Sequence, residues 1–315
     1  MTRRRDAATP ADIPVVGWKD VAFRVKDEIA KDRVGLLAAG VAFYGLLALF
    51  PAITAAIAIS GLLIEPSRIL AQLSSLSGLV PEDVIAIVTR QATAVANSRQ
   101  GSLGFAAILG LLIAFYSASK GMASLMQGLN IAYDEQETRG FTARLLVTSA
   151  LTLLLIAGLV CGLGATLALP VILAFVDMGP AVAILLTAAL WAGLIALTIA
   201  GLCVLYRFAP SRETPEWKWT SVGAVAGCLV WIAASASFAF FVSNFSYYNQ
   251  SFGTLAGVVV LLMWFWISAY IVLMGAELNA ELEAQTRADT AAGDDKATAS
   301  QDAAKPGNPH ATGGR

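Results

Sequence analysis

Histidine is almost absent from this chain. The one copy, His310, lies near the end in a stretch with no apolar period. A zinc-dependent hydrolase needs a cluster of His and carboxylate ligands, and a metal-free nuclease needs a His or Lys acid/base pair beside a phosphate site. Neither can be assembled from this sequence, so no catalytic residue and no metal or other cofactor is expected. Cysteine is scarce too. Cys161, Cys203 and Cys228 all fall inside apolar runs and no Cys-x-x-Cys occurs, which excludes a secreted-type disulfide framework. A GxxxxGK[ST] phosphate loop is missing, so any pumping relies on a gradient or a partner. Charge is the largest shortage. Only 14% of residues are charged, against about a quarter in soluble domains. The net charge of −1 gives no basic field for nucleic acid.

Apolar residues fill the space, at 57% of the chain. No charge occurs between Arg144 and Asp177, and none between Lys218 and Glu277, where "SNFSYYNQS" divides the run in two. A membrane-crossing helix needs about 20 apolar residues. Six stretches qualify: 36–62, 102–120, 145–170, 180–206, 220–242 and 252–276. The expected fold is all-α, a polytopic bundle of six transmembrane helices with amphipathic interfacial helices. The expected organisation is a disordered 1–17, a membrane domain over 18–284 and a disordered tail over 285–315.

With both termini on one side, that side holds 18 of the 21 Lys and Arg residues, and the other only Arg68, Arg90 and Arg99. The positive-inside rule then places both termini in the cytoplasm. The expected location is a bacterial inner membrane. "RRR" at 3–5 lies too far before the first apolar run, and that run is too long, for a cleaved signal.

Several local patterns carry further expectations. Trp18, Ala22, Val25 and Ile29 recur at helical spacing, which predicts a helix lying in the membrane interface or an ordinary cytoplasmic one. Pro51 sits inside span one, where it removes a backbone donor; the helix is either broken beside a cavity or kinked for packing. The segment 65–100 reads as two amphipathic helices, the second opened by Pro81, forming a lid or an interfacial anchor. Gly158/Gly162, Gly223/Gly227 and Gly253/Gly257 are small pairs four apart; they suit close packing within the chain or homo-oligomerisation.

Three segments, "AAGVAFYGLLALFP" (38–51), "SASKGMASLMQGLNIAYDEQETRGF" (117–141) and "SFGTLAGVVVLLMWFWISAYIVLMGAELNAELE" (251–283), stand in the order and spacing of the YihY/BrkB family of bacterial inner-membrane proteins. The resemblance covers roughly 30–285. It implies six spans with cytoplasmic termini and an envelope role. Where that family commonly has Arg, this chain has Lys120, which keeps the charge without the bidentate geometry. The old family label of ribonuclease finds no support in the residues.

The polar residues near the span ends are the candidates for function. Lys120 either snorkels to headgroups or pairs inside the bundle with a carboxylate, Glu277 foremost. If its helix continues to Tyr133 it carries Asp134, Glu135 and Arg139 at its end, with Asn130 as a terminator. Glu277 and Glu281 are i,i+4 and share one helix face, while Asn279 faces elsewhere. Lys120, Arg139 and Arg144 are the expected partners of Glu277. Tyr247 and Tyr248 belong to an aromatic belt or line an outer entrance. The function expected is translocation of a lipid or small solute, with membrane lipids as partners; the alternative is a non-transporting envelope scaffold.

Overall fold

The computed structural model describes residues 15–63, 100–175, 179–212, 217–244 and 254–304. These form seven helices: α1 (Val15–Lys31), α2 (Val34–Leu63), α3 (Gln100–Ala132), α4 (Phe141–Phe175), α5 (Gly179–Phe208), α6 (Trp217–Asn244) and α7 (Thr254–Ala304). Six of them, α2 to α7, are long and apolar enough to cross a membrane. The chain is an all-α polytopic membrane protein. The segment 65–100, Pro81, Gly253, Tyr247 and Tyr248 lie outside the described residues, apart from Gln100 at the start of α3.

Two helix ends differ from the sequence reading. The second span does not stop at 120; α3 runs to Ala132. Asp134 ends it rather than Asn130. Asp134 adopts φ 52°, its amide bonds the Ile131 carbonyl at 2.9 Å, and the Glu135 amide bonds that of Asn130 at 2.8 Å. This is a left-handed C-cap with the paired bonds of a Schellman motif, and Asp tolerates that backbone region better than most residues. At the other end of the chain, α7 continues to Ala304, although a disordered tail is expected from 285. The segment is rich in Ala, the best helix former.

Packing is concentrated at one end of the bundle. The helix α1 docks there on the end of α7: Val21 and Val25 bury against Leu282, with Val222 and Leu278 alongside. Both ends of the membrane domain therefore meet on one face, here termed the charged end. The inward stripe of α1 is Val21 and Val25, both buried, with Ile29 half-buried beside them; Ala22 is exposed. The face is covered by protein.

The main core joins Val34 and Ala38 of α2, Met126 and Leu129 of α3, Leu151 of α4, Tyr206 of α5, Ala224 of α6 and Leu273 of α7. All of these lie toward the charged end. The pair α2–α3 stays close further along, where Gly110 sits against the Pro51 carbonyl and Ala55. Elsewhere packing fades. Among the described residues, none of 153–170 in α4, 179–205 in α5, 229–243 in α6 or 256–268 in α7 is buried.

Glycine explains how the charged end closes. A Cβ on Gly223 would collide with the Gly275 carbonyl and the Asn279 side chain, and one on Gly275 would collide with the Tyr206 hydroxyl. Gly223 thus serves the α6–α7 crossing within the chain, while Gly227 faces Tyr206 and Leu202 of α5. Gly158 has nothing within 4 Å of a built Cβ.

Candidate functional site

The helix ends and short loops at the charged end form a polar seal below the core. Arg139 answers for the charged cluster after α3. Its guanidinium donates to the carbonyls of Ala209 and Phe208, both at 3.1 Å, and to that of Pro210. Phe208 carries the last carbonyl of α5, which has no partner within its own helix, and Ala209 and Pro210 follow it directly; a cation there also opposes the negative end of the helix dipole. Glu137 lies 3.9 Å from Arg139 and receives a bond from Asn130 Nδ2 at 3.3 Å. Asn130 Oδ1 in turn accepts the Ser211 amide at 2.8 Å. The two loops, 133–140 and 209–212, are thereby stitched together. Asp134 is exposed at the cap and Glu135 is half-buried.

A second layer ties in α1 and α7. Arg24 pairs with Glu281 at 2.6 Å, and Arg212 pairs with Glu283 at 2.8 Å. The Arg212 guanidinium also lies 3.8 Å over the Tyr133 ring. Burial pushes the Tyr133 phenol up to about 12, against the pull of the Arg212 charge, so it stays neutral. Tyr206 donates to the Val272 carbonyl at 2.8 Å, and Asn279 accepts the Gly223 amide at 2.6 Å.

Glu277 sits in the middle of this seal without a cation. It is 2% exposed, and its Oε1 has no hydrogen-bond partner. Among the described residues no Lys or Arg lies within ion-pair distance of it. Its neighbours are the carboxyls of Asp32, which lies against it, and of Glu28, Asp134 and Glu281. Burial, and then the Glu28 charge, push the Asp32 carboxyl above its ordinary value.

The expected Lys120–Glu277 pair does not form. Glu277 is level with Asp32 and Asp134 at the charged end, whereas Lys120 lies 12 residues before the end of α3, about 18 Å along the helix. Only a span that ended at residue 120 would put both at one depth. Lys120 is exposed, on the same side of α3 as Leu109, Tyr116 and Gln127. Its ammonium lies 5.3 Å from the Tyr116 ring centroid, following the tilt of helical side chains toward the N-terminus. That direction leads away from the charged end. Arg139 is committed to α5 and Glu281 to α1. Pro51 remains inside a continuous α2 and turns its carbonyl toward Gly110 of α3.

The residues that the sequence reading did not single out are Arg24, Asp32, Tyr206 and Arg212. Their one signal is position, each at the edge of an uncharged run or in the short flank beside it.

The three segments 38–51, 117–141 and 251–283 now have one structural role: they build α2, α3 with its capped loop, and α7 with the seal. A family model described as "Virulence factor BrkB" matches residues 25–300. The chain belongs to that family. Among its BrkB-family relatives, "Putative ribonuclease-like protein YfkH" of Bacillus subtilis is 29% identical over 252 residues, 78% of this chain and 88% of the relative. A "UPF0761 membrane protein" of Delftia acidovorans is 28% identical over 279 residues, 84% of this chain and 62% of that relative. "UPF0761 membrane protein Mpe_A1422" of Methylibium petroleiphilum is 26% identical over 285 residues, 88% of this chain and 66% of that relative. The chain thus spans about two thirds of the length of these last two. No solved structure matches it.

Proposed function

We propose that this BrkB-family protein translocates amphiphiles with an anionic head, in a bacterial inner membrane, with both termini in the cytoplasm. The observation that carries this reading is Lys120, exposed and unpaired with any anion among the described residues, 13 residues from one end of its span and 12 from the other. At about 1.5 Å per residue its Cα lies near the middle of a hydrocarbon layer about 30 Å thick, beyond the reach of a snorkelling side chain toward either face. A cation at that depth marks a substrate or ion pathway by default. A phosphate or carboxylate head, with its acyl tails left in the surrounding lipid, supplies the missing counter-charge.

The packing supports the same reading. A bundle held together at one end and lightly packed over the rest of α4 to α7 can part its helices without dismantling its core. A scaffold has no need of this, and would gain from a dry, fully packed bundle. The family name of ribonuclease carried by one relative is not adopted for this chain, whose described residues hold no group of three or more His, Cys, Asp or Glu arranged for a metal.

The test is transbilayer movement in proteoliposomes. Fluorescent phosphatidylglycerol and phosphatidylcholine are followed by quenching of the outer leaflet. The protein should speed the anionic lipid more than the zwitterionic one; Lys120→Ala should abolish the difference and Lys120→Arg should keep it. Vesicles with protein that behave like empty vesicles for both lipids would remove the translocation reading.

A further inference from the structure

Glu277 is a buried carboxyl in a ring of carboxyls, and the cations near it are occupied elsewhere. Arg24 holds Glu281, Arg212 holds Glu283, Lys31 holds Glu28 at 2.8 Å, and Arg139 caps α5. The groups that face Glu277 are Glu28 and Asp32 from the α1–α2 turn, Asp134 and the Tyr133 phenol from the end of α3, and Glu281 from its own helix. An acidic cluster alone carries nothing. Here the unpartnered Oε1 of Glu277, on a residue only 2% exposed, points to a ligand that supplies positive charge. The carboxyls are not disposed as a three-donor metal site among the described residues, and there is no opening for a larger cation at an atom without solvent contact. A proton fits.

We propose that Asp32 and Glu277 form a proton-binding site whose occupancy holds the charged-end seal closed. With one proton shared between them, one carboxyl donates to the other and the pair carries a single negative charge beside Glu28, Asp134 and Glu281. When that proton leaves to water by way of the half-buried Asp32, two adjacent carboxylates face each other, with Glu277 held out of reach of water. Like charges so close disfavour joint ionisation, and a buried charge without a partner is not sustained. Hydration by parting α1 and the α3 cap from α7 relieves both. The raised affinity of Asp32 for its proton, caused by burial and by the Glu28 charge, agrees with this arrangement. The site gives the translocation reading a coupling ion. It rests on that reading for its purpose, but its test needs no substrate.

Cys228 is a reporter already in place. It is 1% exposed, in the core above the seal. In a Cys161→Ser, Cys203→Ser background, the full-length protein in vesicles is treated with a water-soluble maleimide from about pH 5 to about pH 9. Each variant is compared with the unsubstituted seal at the same pH, so the thiol's own chemistry cancels. Glu277→Gln, which stays neutral, should label slowly throughout. The native seal should match it in acid and exceed it about tenfold in alkali, the response to about one pH unit of coupling. Asp32→Asn should suppress the rise as well, and Asp27→Asn, which removes an exposed carboxyl of α1, should leave it in place. Equal labelling of native protein and Glu277→Gln at every pH overturns the proposal, as does a rise that persists in both Glu277→Gln and Asp32→Asn. Should Glu277→Gln fail to fold, Asp32→Asn alone decides by the same two outcomes. A pH-dependent seal without lipid movement would sink the translocation reading and leave the proton site standing; lipid movement with a pH-independent seal would do the reverse.

Discussion

Asn279 accepts the backbone amide of Gly223 at 2.6 Å, and it does so across the point where α6 and α7 come closest. Gly223 is the seventh residue of α6, past the first four amides that a helix leaves without internal partners, so the bond marks how near the two backbones lie. Small residues allow this approach: Gly223 meets the Gly275 carbonyl and Gly275 meets Tyr206. In a membrane such contact replaces the hydrophobic drive available in water.

Gly223→Ala and Gly275→Ala should therefore each destabilise the protein by about 1–3 kcal/mol, the usual cost of overpacking. The obstacle is largely backbone at Gly223, so it has little room to yield. Gly158→Ala, with nothing within 4 Å, should be neutral. Thermal unfolding in detergent, read as the fraction still monodisperse after heating, orders the three. Equal loss at Gly158 would show that the α6–α7 crossing is not the tight one.

Arg139→Ala should cost about 1.5–3 kcal/mol, the range for hydrogen bonds to a charged group. The more telling variant is Arg139→Lys. Three carbonyls are held by one planar fork, and a lysine ammonium keeps the charge without that geometry. Arg139→Lys should recover less than half of the loss. Full recovery in the same melting assay would mean that charge at the end of α5 is what matters and the fork is incidental.

The span count was legible in the sequence because uncharged runs have few other uses. The site was less so. Lys120 looked like the end of a span since it follows a wholly apolar run, yet the segment 121–132 contains no charge and continues the helix to a proper cap at Asp134. A difference of 12 residues in one helix end, about 18 Å along α3, separates Lys120 from the level of Glu277 and removes the pairing between them. The real pairs join residues 257 and 71 positions apart, Arg24 with Glu281 and Arg212 with Glu283. Periodicity carries no trace of such partners, because any of several flanking cations satisfies the same pattern. Glu281 and Asn279 were placed on different faces correctly, since a helix repeat fixes that much.

Orientation follows from charge and can be measured directly. Reporter fusions at 137, 213 and 290 should give cytoplasmic signals, and fusions at 85 and 247 extracytoplasmic ones. Glu281 holding α1 places the start and end of the membrane domain on one face, so a result that separates 137 from 290 would contradict the bundle itself. A result that inverts all five would contradict only the positive-inside assignment.

The pH dependence of stability should carry the sign of a raised carboxyl. Asp32 lies just before α2, outside the spans, and burial together with the Glu28 charge lifts it above its ordinary value. The folded protein then binds more protons than the unfolded chain between the two values, so stability falls as pH rises through that window. The contribution is complete below about pH 3.9 and is lost above the raised value. Asp32→Asn should flatten the fall and melt higher than the native protein at neutral pH. A native melting temperature that climbs from weak acid to neutral, and loses that climb in Asp32→Asn, would show the opposite sign.

Lys120 should be the residue whose removal helps folding and harms function. A locking ion pair predicts that Lys120→Ala lowers the amount of folded protein, and that the swap Lys120→Glu with Glu277→Lys restores it. The geometry predicts neither. No anion lies beside Lys120 among the described residues; its one close partner is the Tyr116 ring at 5.3 Å, an interaction worth about 0.5–2 kcal/mol. A lysine at mid-membrane costs about 2.5–3.5 kcal/mol on insertion scales, so the balance is unfavourable. Lys120→Met should raise the folded yield and the melting temperature while removing the preference for anionic lipid. The effects of Lys120→Glu and Glu277→Lys should simply add in the double swap, with no recovery from pairing. The swap puts a carboxylate in the hydrocarbon about 18 Å along α3 from the level of position 277, too far for the two to meet. If Lys120→Met instead unfolds the protein, the lysine has a structural anion, one carried by a second copy of the chain, and crosslinking between copies at position 116 would reveal it.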